Sequence, residues 1–170
     1  MNDALILSLI IIGVIAAIVA ALMAISRKDS RAKKSLLLNT YKSVLDRHKL
    51  TPDHVDEFRH RIIGMDMTKK VFVAVQHDAG ETPYNVIQLN DVTDCNVRKS
   101  GSTITTSRQA GSFTDEFTDT IALSFVMRNG MAVDIPVYTD QLDGLAERIF
   151  LNQSAEKWRQ LVRLAIGKTG

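Results

Sequence analysis

Between Arg27 and Ser35 the chain reads RKDSRAKKS, setting Arg27, Lys28, Arg31, Lys33 and Lys34 against the single acid Asp29. Cations at this density suit two kinds of chemistry: neutralising the phosphates of a nucleic acid, or meeting anionic lipid headgroups beside a membrane segment. Charge counting separates the two. Five of the chain's 21 Lys and Arg lie in this run, leaving 16, and two of its 19 Asp and Glu, Asp3 and Asp29, precede Ser35, leaving 17. The remainder is close to neutral and lacks the broad positive field that a phosphate backbone requires, so nucleic acid is not an expected partner.

The other residues capable of chemistry do not assemble into a known set. His48, His54 and His60 recur every six residues. Six residues turn a helix by about 600°, so successive imidazoles on a helix face different ways and cannot converge on one ion. His77 and Asp78 are adjacent at a strand end and point to opposite faces. Asp115, Glu116 and Asp119 lack the spacing and the glycine of a calcium loop. Cys95 is the one cysteine, which excludes an internal disulfide or a CxxC motif and suits a reducing compartment. Within NDVTDCNV it reads as a small buried hydrophobe. Ser154 has no base nearby in sequence, and there is no nucleophile elbow, phosphate loop or HExxH. No catalytic residue, metal or cofactor is expected, and the chain is read as a non-enzyme.

The elements that would position these residues begin with ALILSLIIIGVIAAIVAALMAI, 22 residues from Ala4 to Ile25 without a charge. As a helix the run would be about 33 Å long, enough to cross a bilayer. A cleaved signal peptide is the rival reading. The segment MND offers no cation, the apolar run is long for a signal, and no Ala-x-Ala pair closes it. The expectation is therefore an uncleaved transmembrane helix over 4–25. The five cations then become cytoplasmic flanking charges in contact with the membrane surface. This predicts a single-pass inner-membrane protein with its N-terminus outside and its C-terminal domain in the cytoplasm. Gly13, Ala17 and Ala21 form a small-residue ridge through which two such helices could associate as a homodimer.

No Gly or Pro interrupts residues 14–51, and Leu37, Tyr41, Val44, Leu45 and His48 recur at helical spacing, so 26–57 reads as a basic juxtamembrane segment and helical stalk. A fresh start at Asp29 or Ser30 would also be consistent with the sequence. Thr51 and Pro52 suit the N-cap and first residue of a short helical turn. After Phe58 the period changes to two. RIIGMD and KKVFVAVQ predict strand, turn, strand, with Val71, Val73 and Val75 on one face. YNVIQL and TDCNVRK add two strands, with a corner at Asn90 to Val92.

In TIALSFVMRNGMAVDIPVY a two-residue Asn-Gly turn would pair Phe125 with Asp134, apolar against polar. A three-residue loop, Arg128 to Gly130, instead pairs Phe125 with Val133 and Leu123 with Ile135 and puts Gly130 in the left-handed position. Pro136, lacking a ladder donor, belongs on an edge strand or at a bulge. Residues 100–118, rich in Ser, Thr and Gly, read as a long polar loop, disordered or functional, unless 102–107 form a strand. The C-terminal region carries two apolar stripes. Leu142, Leu145, Ala146, Ile149 and Phe150 form one, and Ala155, Trp158, Leu161, Val162, Ala165 and Ile166 the other; Asn152 to Ser154 break their phase. One helix with a shifted face, or two helices in series, would satisfy this pattern, with Trp158 against the sheet.

The order IIGMDMTKKVFVAV, VIQLNDVTDCNV, TIALSFVMRNGMAVDIPVY, AEKWRQLVRLAI resembles small bacterial membrane-anchored proteins carrying a pleckstrin-homology-like (PH-like) domain. The resemblance spans 58–167 and implies an antiparallel barrel or sandwich closed by a C-terminal helix and used for binding. The turn of the first hairpin supplies only Lys69 and Lys70, which departs from the inositide-binding members. The expected architecture is α+β: a transmembrane helix (4–25), a stalk (26–57) and a PH-like β-domain (58–170). The expected function is a membrane-anchored, cytoplasm-facing scaffold that docks a protein partner at the lipid bilayer. Anionic lipid headgroup binding is the alternative.

Overall fold

Val71, Val73 and Val75 alternate with Phe72 and Ala74 in one strand, and all five are buried, so that strand has core on both of its faces. The computed structural model that places them describes residues 31–78, 80–108 and 111–167, the side chains at 102–117 excepted. Residues 31–48 form helix α1. Strands β1 (His54–Glu57), β2 (Arg61–Asp66), β3 (Val71–Gln76) and β4 (Tyr84–Gln88) form one antiparallel sheet in that order. A 3-10 turn, Leu89–Asp91, leads to β5 (Val92–Arg108), β6 (Gly111–Met127) and β7 (Ala132–Thr139), a second antiparallel sheet. A short helix α2 (Asp140–Asp143), a 3-10 turn (Leu145–Glu147) and helix α3 (Arg148–Ala165) complete the fold.

The main core lies between the two sheets and α3. Phe72 meets Phe125 across the sheets at 4.9 Å and the edge of Trp158 at 5.7 Å. Trp158 is fully buried, and its Nε1 donates to Asp56 Oδ2 at 2.8 Å, so the indole is satisfied as it is enclosed. A second core sits on the other face of the first sheet, where Leu37, Tyr41 and Val44 of α1 cover Ile62, Val71, Val73 and Val75. Gly64 on β2 makes this approach feasible: a Cβ there would lie 1.8 Å from the Tyr41 hydroxyl.

The second hairpin takes the expected register. Phe125 pairs with Val133 and Leu123 with Ile135, Met127 N donates to Met131 O at 2.8 Å, and Gly130 has φ +81°. Pro136 sits on the edge strand β7 beside a register shift.

Several expectations are corrected. Among the described residues no helix is long and apolar enough to cross a membrane. The expected α+β fold of transmembrane helix, stalk and PH-like barrel or sandwich therefore gives way to an α+β fold of two small antiparallel sheets with a C-terminal helix. The membrane, transmembrane and single-pass readings, and placement at the inner membrane, fall with it. The run 4–25, with its ridge Gly13, Ala17 and Ala21, lies outside the described residues, as do Arg27 and Lys28.

The stalk is corrected on packing grounds as well. The stripe Leu37, Tyr41, Val44 covers a sheet, which a free stalk cannot do. Thr51 and Pro52 start no helical turn. Thr51 N donates to Asp66 Oδ2 and Asp53 N to Met65 O, which draws the following residues into β1 as an edge strand. Nor is 100–118 a loop: β5 and β6 stay paired to Arg108 and Gly111, while β7 accompanies β6 only as far as Thr120. Beyond Thr120 the two strands run on as a ribbon.

Candidate functional site

At the join between the second sheet and α3, a buried ion pair decides which side chains face outward. Arg61 Nη2 lies 2.7 Å from Asp143 Oδ2, with 2% and 0% of the two side chains exposed. The same carboxylate oxygen accepts from Thr139 N at 2.9 Å. Burial lowers the Arg61 pKa and Asp143 opposes that shift. Gly144, at φ +71°, ends α2 immediately after the pair. Half-buried His60 nearby has its pKa pushed below the ordinary imidazole value by burial, against the pull of Asp143, so it is neutral at pH 7.

The chain then enters α3 with Leu151, Ala155, Trp158 and Val162 facing inward. Positions 149 and 150 fall outside that stripe. Leu145, Ile149 and Phe150 are 59%, 71% and 61% exposed. Three of the eight large hydrophobic residues exposed among the described ones thus fall within six positions, a clustering that scattered surface hydrophobes do not show.

Shallow clefts flank this ridge on both sides. One, of about 350 Å³, lies between the β1–β2 turn and the ridge and is lined by Phe58, Arg59, Glu147 and Phe150. Phe150 meets Phe58 edge-on there at 6.3 Å. The other, of about 260 Å³, lies at the foot of the β5–β6 ribbon and is lined by Lys99, Thr118, Ile121, Arg148, Ile149 and Asn152. Both sit near or below the lower end of the ~300–1,000 Å³ typical of small-molecule sites, so each suits a side chain rather than a cofactor.

Most of the residues singled out from sequence lie elsewhere. Arg31, Lys33 and Lys34 are exposed on the first turn of α1, and Lys34 pairs with Glu57 at 2.6 Å. Among the described residues no group of His, Cys, Asp and Glu could hold a metal. Cys95 is fully buried, and burial pushes its thiol up to about 12. Ser154 Oγ donates to the Phe150 carbonyl at 3.0 Å. Lys69 Nζ is taken up by the Lys49 carbonyl.

The ridge itself was not among the sequence candidates, although its signal was present. Its residues stand in the sequence as an apolar stripe out of phase with the Trp158 stripe, and the pattern alone does not set that stripe outside the core.

No protein-family model matches this chain, and neither does any curated protein or solved structure. The likeness to PH-like proteins therefore rests on the sequence pattern alone.

Proposed function

We propose that the chain is a non-enzymatic binding module that docks a protein partner on the ridge Leu145, Ile149 and Phe150. The observation that carries this reading is the exposure of those three side chains just before and at the start of α3, whose next stripe packs into the core with Ala155, Trp158, Val162 and Ala165 buried. Large apolar side chains held out in water on a rigid, well-anchored element favour burial against another surface. The Arg61–Asp143 pair and Leu151 supply the anchoring, so the ridge is preorganised and little ordering entropy is lost on docking. The two nucleophiles considered from sequence are engaged otherwise, Cys95 as a neutral core thiol and Ser154 as a donor to its own helix.

Photo-crosslinking tests this reading. A benzophenone side chain at Ile149, with the protein expressed in its own cells, is expected to trap a discrete protein adduct. The same group at Leu164, which is 60% exposed on the other end of α3, is expected to trap none. Absence of an adduct at 149, or the same adduct at both positions, overturns the reading.

A further inference from the structure

The groups around the ridge specify the chemistry of its occupant. Arg59 lines one cleft, and Lys99 and Arg148 line the other. None of the three forms an ion pair among the described residues. Glu147 is the one acid in these linings without such a pair; Glu57, the other acid, is held by Lys34. His60 is neutral. Among the described residues, three cations and one acid without an ion pair therefore stand beside the apolar ridge.

The geometry points to an acidic protein segment with an apolar face as the occupant: its hydrophobic side chains would cover Ile149 and Phe150, and its carboxylates would meet Lys99 and Arg148. This deepens the docking reading and rests on it. A carboxylate brought to an Arg and a Lys gains charge-assisted hydrogen bonds where it joins them. Complementary charge also raises the association rate and disfavours basic competitors.

A bilayer fits these features less well. Two concave clefts on either side of a ridge accept side-chain knobs, whereas a lipid surface offers none. Glu147 would also face anionic headgroups, while a polypeptide can present a backbone N–H or a single cation to it.

The test uses the full chain and two fluorescein-labelled helical peptides. They share an apolar Leu and Phe face and differ in carrying Glu or Lys on the polar face. Fluorescence anisotropy is expected to show the Glu peptide binding at least about tenfold more tightly than the Lys peptide at low salt, with the gap narrowing at high salt. The double variant Lys99→Glu/Arg148→Glu is expected to reverse that preference, and Phe150→Asp to abolish binding of both peptides, each with an unchanged near-ultraviolet circular dichroism spectrum. Equal affinity for the two peptides overturns the acidic assignment and leaves apolar docking standing. Binding of neither peptide overturns both. Binding to phosphatidylglycerol vesicles but to neither peptide overturns the protein occupant in favour of a lipid surface.

Discussion

From Leu151 to Ala165 the inner stripe of α3 is enclosed, with Trp158 and Val162 fully buried, whereas immediately before Leu151 the side chains of Ile149 and Phe150 stand 71% and 61% exposed. Both halves carry apolar residues at helical spacing, so propensity and periodicity do not separate them. The difference lies in what stands opposite. Trp158 meets Phe72 and donates to Asp56, which closes the gap between α3 and the first sheet. Ile149 and Phe150 face away from that core, beside clefts that neither sheet fills. Amphipathic patterning therefore marks which residues seek an apolar partner, and only the assembled sheets reveal which of them already have one.

Substitutions on the two halves should differ accordingly. On the enclosed half, Trp158→Ala removes the largest core side chain and leaves the Asp56 carboxylate without its indole donor. Its expected cost is about 3–5 kcal/mol, read as a lower midpoint in urea unfolding. Asp143→Ala, at the point where the two halves are set in phase, strands a buried guanidinium and is expected to cost about 3–5 kcal/mol by the same measurement. A loss under about 1 kcal/mol in either variant would mean that the helix is not anchored as described.

Gly64→Ala brings a Cβ against the Tyr41 hydroxyl and is expected to cost about 1–3 kcal/mol. Tyr41→Phe in the same chain is expected to recover most of that loss, because it removes the clashing atom and a buried hydroxyl with no partner. Additive effects of the two substitutions would contradict the contact between α1 and the sheet.

Alkaline pH probes both cores together. Burial raises Tyr41 from 10.0 to about 12 and Cys95 from 9.0 to about 12. The unfolded chain therefore releases these protons first, and the stability associated with the two neutral groups is present below pH 9 and lost as pH rises from 9 towards 12. Tyr41→Phe/Cys95→Ala is expected to flatten that decline in urea midpoints measured across the alkaline range. On the exposed half, Ile149→Ser is expected to change stability by no more than about 0.5 kcal/mol.

Much of the sheet was legible in the sequence, because a period of two together with one constrained turn leaves few registers. Arg61 to Asp66 forms a strand as expected, and rejecting the Phe125–Asp134 pairing led to the observed hairpin. The role of α1 was not legible. Its stripe of Leu37, Tyr41 and Val44 was visible, but Val71, Val73 and Val75 read equally well as the inward face of a sheet covered on one side. Nothing local shows that Phe72 and Ala74 are also buried. β1 was hidden for a different reason: Thr51-Pro52 carries a helix-start signal, and the Asp66 carboxylate that overrides it lies 15 residues away. The ridge was half legible: the phase break separates its stripe from the Trp158 stripe set against the sheet, but two helices in series would have allowed both to be buried, so its exposure could not be read.

The rate at which iodoacetamide alkylates Ile149→Cys tests the central claim most directly, with Leu164→Cys as the reference and buried Cys95 contributing little background. The account predicts that position 149 reacts at least about tenfold more slowly in a lysate of the protein's own cells than in the purified chain, while position 164 reacts equally in both. Equal rates at position 149 in the two settings would show the ridge uncovered and contradict it.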